Sequence, residues 1–315
     1  AHLGAGASGG TVGALAPHVP DPWNPKKKLQ LDALLGAETY WAEVAEVSGL
    51  DPGYARTGRL QPIPDDRVLG LARERVDHAK LRWGEAAAWR VIEVEAAGDW
   101  APRSPTGYLV HDTLTARIAP RRATRALAAA LARRGVSIEA GDAPPEGSAP
   151  VIWATGVAGL TDLSQALGKK IGQGVKGQSA LLQFEAGRLP QIGGEGLHIV
   201  PHADGTVAIG STSENQYHDP GSTDDALEAV IQAARALCPA LADAPVIDRW
   251  AGARPRARSR GPMLGPWPER PGHFVLNGGF KIGFGLAPAL AEMIAQCVLD
   301  QDSDIPEGFR VEASL

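Results

Sequence analysis

Residues 274–288, FVLNGGFKIGFGLAP, pass from an apolar run through Asn277, Gly278 and Gly279 into a second apolar stretch that continues beyond Pro288. The run 273–277 is short and rich in branched and aromatic residues, which suits a strand, and a helix is expected from about Leu286 to Leu299. A strand that enters a glycine-dense turn and leaves as a helix aims free backbone N–H groups, and the positive helix end, at whatever lies above the turn. Gly278, Gly279, Gly283 and Gly285 fall within this one turn. Close packing of helix on sheet accounts for one or two of them; the others suit the approach of an anion or of an electron-rich ring edge. Lys281 adds a positive charge among them.

Upstream, a strand at 246–250 leads into Trp250, Gly252, Arg254, Pro255, Arg256, Arg258 and Arg260. In an extended chain the alternate arginines share one side, where they can clamp a carboxylate or cover a solvated face. Solvation is the simpler reading of Arg256, Arg258 and Arg260. Arg254 differs, because Pro255 restricts its backbone and Trp250 and Gly252 flank it. A second strand-to-turn unit is VIWATG at 151–156, a short apolar run expected to be a buried strand that breaks at Thr155-Gly156.

The remaining elements follow from spacing and caps. Helices are expected over 27–48, ended by Gly49, and behind Pro64-Asp65 with Val68, Leu69, Ala72 and Val76 on one face. A third begins at Pro120 and is followed by a strand at 136–138. Residues 197–203 and 206–210 form a hairpin around a two-residue Asp204-Gly205 loop. Ser222 to Asp225 reads as a variant capping box ahead of a helix carrying Leu227, Val230, Ile231 and Ala234. Helices and strands alternate at both ends with a hairpin between, so the class is α/β with mixed sheets, a sheet-and-helix domain interrupted by a partly antiparallel one.

Composition narrows the function. The 315 residues carry 31 basic and 36 acidic side chains, a net charge of -5, so no general basic field exists for nucleic acid and none is expected as a partner. Cys238 and Cys297 are too few for a disulfide framework or a structural zinc site and fit a reducing compartment. No uninterrupted apolar run reaches about 18 residues, so no transmembrane helix is expected. His198 and His202 share a strand face by parity but lack metal-ligand spacing; they read as satisfied polar or surface histidines, and no metal is expected.

Two motif matches lack their context. Gly4-Ala-Gly6-Ala-Ser8-Gly9 is a literal G-x-G-x-x-G, but three residues precede it where a strand is required, and Gly10, Gly13 and Pro17 interrupt any helix after it. It reads as a glycine-rich loop. Gly6 to Gly10 is also a literal G-x-S-x-G, which makes a serine hydrolase using Ser8 an alternative; the strand and helix that would hold such a nucleophile are missing from the pattern.

Taken in order, ASGGTVGALAPH at 7–18, VIWATG at 151–156, VKGQ at 175–178, HIVPHADGTVAIG at 198–210, WAGARP at 250–255 and GGFKIG at 278–283 resemble the D-amino-acid oxidase family of FAD-dependent oxidoreductases, which includes glycine and sarcosine oxidases and D-amino-acid dehydrogenases. The resemblance spans nearly the whole chain. It implies a Rossmann-like FAD-binding domain (1–30, 109–160 and 246–315) interleaved with an antiparallel-sheet substrate domain (31–108 and 161–245). The implied activity is oxidation of the C–N bond of an amino acid or secondary amine by hydride transfer to flavin, giving an imine that hydrolyses. By position, Ser8, Gly9, Gly13, Ala14 and Leu15 match the loop near the flavin ring and pyrophosphate, and Thr155 and Gly156 match a strand-end turn beside the FAD. Gly279, Lys281, Ile282 and Gly283 match the turn beneath the pyrimidine edge, where charge and amides stabilise the reduced ring. Arg254 matches the arginine that grips the substrate carboxylate.

Departures accompany the match. The family opens with a strand, a G-x-G-x-x-G turn and an acidic residue, a βαβ unit absent here, so the chain is expected to be short by roughly 30 residues, the size of one such unit. The family position of Lys281 often carries arginine, and Tyr217 lies in the region of an active-site tyrosine without matching it. A homologue that folds without cofactor is therefore a second alternative. A related flavin domain acts in a bifunctional tRNA-modifying enzyme, but the acidic balance argues against tRNA here. The implied location is cytoplasmic, with peripheral membrane association if a quinone takes the electrons.

Overall fold

Local chemistry fixes most helix starts. In the computed structural model, which describes residues 3–141, 147, 149–194, 196–299 and 305–315, Asn24 caps α1 (Pro25–Ser48) by accepting from the Lys27 amide at 3.0 Å, and Gly49 ends it at φ 70°. Asp65 caps α2 (Asp66–Trp83) through the Val68 amide at 2.7 Å, and Pro120 opens α3 (Pro120–Arg133). These side-chain oxygens satisfy amides that the first helical turn leaves free. α4 (Gly156–Ala166) and α6 (Gly283–Val298) start without any side-chain cap. α6 thus begins three residues before the expected Leu286. α5 (Asp225–Leu237) is capped by Asp224 and not by Ser222, because Asp224 is also tied to Gln178, whose amide nitrogen donates to its carboxylate at 2.7 Å and whose oxygen accepts from its backbone N–H at 2.9 Å.

The strands form the expected mixed architecture. An eight-stranded sheet runs β11 (Val246–Ala257), β7 (Gly172–Gln183), β10 (Thr206–Gly210), β9 (Leu197–Pro201), β8 (Gln191–Gly194), β2 (Arg59–Pro62), β4 (Tyr108–Asp112), β3 (Trp89–Glu93). It is antiparallel except where β2 meets β8. A three-stranded sheet orders β12 (Met263–Pro266), β13 (His273–Asn277) and β6 (Val151–Trp153), the last two parallel. β1 (Ala14–Leu15) pairs with β5 (Ala116–Arg117). The hairpin is present, but Val207 pairs with Pro201 and the His202 amide bonds to Thr206 O. The loop is therefore Ala203-Asp204-Gly205, one residue longer than expected, with Gly205 supplying the left-handed φ of 79°.

Two expected strands differ. Residues 136–138 are not a strand: Val136 and Ile138 are 47% and 46% exposed, and no strand lies beside them among the described residues. β6 exists but is not buried, with Ile152 42% exposed, because β13 covers only one of its edges among the described residues.

The large sheet has two unlike faces. One is apolar: Leu60, Leu109, Ala180, Leu182, Ile192, Ile199, Val207 and Ile209 pack against Leu227, Ile231 and Ala234 of α5. Each fully buried Leu or Ile there contributes about 1.5–3 kcal/mol. On the other face the register aligns Trp250, Ser179, Gly210, His198 and Gly193 across five strands, with Gly252 beside Gly177 in the next row. Four glycines in neighbouring positions leave that face hollow at its centre.

Candidate functional site

The hollow is filled by side chains that need those glycines. A Cβ on Gly177 would lie 1.9 Å from Arg254 Nη2, and one on Gly252 would lie 2.3 Å from the Trp250 indole. Gly193 likewise receives the Arg59 stem and Gly210 the Val12 side chain, with closest approaches of 3.1 and 2.9 Å. The segment after Gly9 is stitched across the same face: Thr11 Oγ1 and Ser179 Oγ share a hydrogen bond of 2.7 Å, and His202 Nε2 donates to Thr11 O at 3.1 Å. Gly13 closes it, its O accepting from the Ile118 amide at 2.9 Å.

Arg254 is the centre. Nη1 donates to Ser211 Oγ at 2.9 Å, and Nη2 donates to Thr212 O at 2.5 Å and to Lys176 O at 3.5 Å. A guanidinium has five N–H donors, so two are left, and one is the Nε–H, buried without a partner among the described residues. Burial pulls the guanidinium pKa down, opposed by Glu214. Beside it, Phe280 adopts a left-handed φ of 44° and donates its N–H to Pro255 O at 3.1 Å. The Arg254 and Arg256 guanidinium carbons and Lys281 Nζ lie 5.7, 5.6 and 5.7 Å from the ring centroid of Phe280. Burial and Arg254 both lower the pKa of Lys281.

His198 faces the same hollow, and its imidazole makes no hydrogen bond among the described residues. Its pKa is pushed down to about 4, chiefly by burial, with Arg59, Lys281 and Arg254 adding to the effect. It is therefore neutral at neutral pH. Arg59 is itself neutralised by Asp112, Nε to Oδ2 at 3.0 Å, both buried.

A second group gathers where the parallel strands β6 and β13 end. Asn277 Nδ2 donates to Gly156 O at 2.8 Å and so ties the Thr155-Gly156 turn to the turn after β13. Gly279 approaches Gly283 so closely that a Cβ would lie 3.0 Å from its Cα. Ile282 stands at the α6 N-cap and Thr155 at that of α4, neither start satisfied by a side chain. Gly285, in the first turn of α6, faces Leu15.

The structure thus joins Arg254 to Lys281 through Phe280, Thr155-Gly156 to Gly279–Gly283 through Asn277, and Leu15 to α6. Ala14 pairs with Arg117. Gly9 O accepts from Arg121 Nε at 2.8 Å. Ser8 is exposed on a short 3-10 helix, Ala7–Gly9, and bonds to no histidine among the described residues, so the hydrolase reading has no geometry behind it. The alternating arginines stop at Ala257, where β11 ends: Arg258 turns to Leu315 O and Arg260 takes a φ of 62°. Sequence reasoning missed Arg59, Gly177 and the role of Trp250, and took His198 for a satisfied or surface residue. Its parity with Gly210 and Gly193 was the available signal, but only the pairing reveals it. Among the described residues no group of three His, Cys, Asp or Glu side chains could hold a metal ion, and no helix is long and apolar enough to cross a membrane.

Residues 1–297 match the family model of FAD dependent oxidoreductases designated DAO. Glycine oxidase of Pseudomonas putida is 34% identical over 155 residues, 47% of this chain and 42% of that enzyme. Glycine oxidase of Pseudomonas aeruginosa is 37% identical over 122 residues, 38% of this chain and 34% of that enzyme. The aligned stretches therefore span less than half the length of these relatives. The crystal structure of glycine oxidase from Geobacillus kaustophilus superposes with a TM-score of 0.82 at 20% identity, covering 98% of this chain and 89% of that one; at that identity the likeness is one of fold.

Proposed function

Because the chain belongs to the DAO family of FAD-dependent oxidoreductases, we propose that it oxidises the C–N bond of an amino acid or secondary amine that carries a carboxylate, with Arg254 as the carboxylate anchor. The observation behind this reading is the buried Arg254 Nε–H without a partner. Such a donor costs about 1–3 kcal/mol when left alone, and a carboxylate oxygen satisfies it with a charge-assisted bond.

The residues fit FAD. The uncapped amides at the starts of α4 and α6 lie at the ends of two parallel strands, where ligands bind in open α/β sheets, and Lys281 contributes a positive charge beside them. Thr155, Gly156, Gly279, Ile282 and Gly283 would hold the group on this side, with the loop from Ser8 to Leu15 on the other. When bound, FAD supplies a hydride acceptor: the amine carbon gives up its hydride and the nitrogen a proton, leaving an imine that water converts to a carbonyl and a free amine.

The chain's own residues orient and shield. Arg254 fixes the substrate through its carboxylate, and Trp250, Val12 and Thr11 roof the hollow and exclude water. His198, neutral over the working range, accepts a hydrogen bond from the amine. With a pKa of about 4 it is too weak a base to hold that amine's proton, so the amine must arrive unprotonated or pass its proton to solvent.

The experiment is anaerobic. Protein loaded with FAD is mixed with glycine, sarcosine, D-alanine or D-proline, and the flavin absorption is followed. Bleaching by at least one of them, lost in Arg254→Gln, is expected. A protein that holds FAD but is bleached by none refutes the reading, and a folded protein that holds no FAD returns the silent alternative.

A further inference from the structure

Arg256 repeats the placement of Arg254 two residues along β11, so the two guanidinium groups share a face and their Cα atoms lie about 7 Å apart. Both flank the ring of Phe280. Their partners differ from those of Arg59 and Arg249. Arg59 has Asp112 and Arg249 has Glu228, whereas Arg256 Nη2 donates at 2.8 Å to the amide oxygen of Asn215, which also accepts from Gln173 Nε2 at 3.2 Å. No carboxylate lies within ion-pair distance of Arg256 among the described residues. The guanidinium is positioned by a neutral amide and keeps its charge uncompensated.

Asn215 and Gln173 open onto a cavity of about 580 Å³, within the size range of ligand pockets. Lys170, Gln216, Tyr217 and His218 also line it, and no acidic residue does. Lys170 Nζ donates to Gln173 Oε1 at 2.7 Å. The Lys170 ammonium and the side-chain amides at the cavity edge, next to a guanidinium without a counter-ion, supply hydrogen-bond donors complementary to a carboxylate.

We propose that the substrate carries two carboxylates, one on Arg254 and the second on the subsite formed by Arg256, Asn215 and Lys170. This deepens the amine-oxidation reading and rests on it. A monocarboxylic amine fills only the inner position. A substrate with a second carboxylate two or three bonds beyond the amine reaches both cations along one strand.

The test separates binding from oxidation. Calorimetry with the FAD-loaded protein compares acetate, which can use one site, with succinate, which can use both. Succinate is expected to bind at least tenfold tighter, and the difference is expected to vanish in Arg256→Gln and in Asn215→Asp, which places a carboxylate beside the arginine. Flavin bleaching by N-carboxymethylglycine is expected to exceed bleaching by N-methylglycine at least tenfold in kcat/KM, and to approach it in Arg256→Gln. Equal affinities for the two acids, or a preference that survives both substitutions, overturn the subsite. If the succinate preference depends on Arg256 but no amine bleaches the flavin, the subsite stands and the oxidation reading fails; bleaching without any preference is the reverse result.

Discussion

Gly177→Ala should remove function while sparing the fold. The added Cβ would lie 1.9 Å from Nη2 and 2.3 Å from Cζ of Arg254, far inside contact distance. The obstructing atoms are the far end of a flexible side chain, so the guanidinium can swing away and the backbone need not move. The cost to folding is then the loss of the bonds to Ser211 and Thr212, offset in part by replacing a strand glycine, and should stay within about 1–2 kcal/mol. The cost to substrate binding is larger, because a displaced guanidinium cannot meet the carboxylate with two donors. At about 1.5–3 kcal/mol per charged hydrogen bond, losing the paired geometry costs about 3 kcal/mol, roughly a hundredfold in kcat/KM. Steady-state kinetics beside urea denaturation separate the two effects. A carboxylate-free amine of the same size should lose little, since it never used Arg254. Unchanged kcat/KM for a carboxylated substrate would refute the placement of Arg254, and so would an equal loss for both substrates.

Other perturbations read other parts of the site. Gly13→Ala should fail to fold or lose more than about 3 kcal/mol, because its Cβ would lie 2.0 Å from the backbone oxygen of Ile118, which cannot swing aside; expression and thermal melting check it. His198 keeps its folded pKa near 4 against about 6.5 unfolded. Above pH 6.5 neither state is protonated, and as pH falls from 6.5 to 4 the unfolded chain binds the proton first, so stability drops by up to about 3 kcal/mol. Denaturation at pH 7.5 and pH 4.5 should therefore show a smaller pH loss in His198→Gln than in the parent. Lys281→Met should make the midpoint potential of bound FAD more negative by about 30 mV, if the ammonium stabilises the two-electron-reduced ring by about 1.4 kcal/mol; an unchanged potential in a spectroelectrochemical titration would place Lys281 away from the ring.

What the sequence discloses and what it hides divide along range. Gly49, Asp65 and Pro120 mark helix ends because each acts on residues within one turn of itself, and the strand-turn-helix at 274–288 is legible for the same reason. Arg254 stood out through its immediate neighbours Trp250, Gly252 and Pro255. The glycine row could not be read this way. Gly177, Gly193, Gly210 and Gly252 look like four ordinary strand or turn glycines until β-pairing gathers them on one face of the sheet, around His198 and Ser179. The α5 cap moved from Ser222 to Asp224 through contacts with Gln178, 46 positions away, and the extended run 136–138 has the composition of a strand but no neighbour among the described residues to make it one.

The charges around the hollow also bear on each other. Arg59 is offset by Asp112, whereas Arg254, Arg256 and Lys281 have no carboxylate within ion-pair distance among the described residues; burial first, then the charges of Arg59, Lys281 and Arg254, keep His198 neutral. A bound carboxylate supplies the missing negative charge, so it must raise the His198 pKa, and by reciprocity protonation of His198 must tighten the carboxylate. A rise of one pKa unit corresponds to about 1.4 kcal/mol of coupling, a tenfold change in affinity. Nuclear magnetic resonance can follow the His198 ring against pH, with and without saturating acetate, and Arg254→Gln serves as the control in which acetate should have little effect. A His198 pKa that stays near 4 with acetate bound would mean that the imidazole and the anion do not share one hollow, and the assignment of His198 to the amine would fall with it.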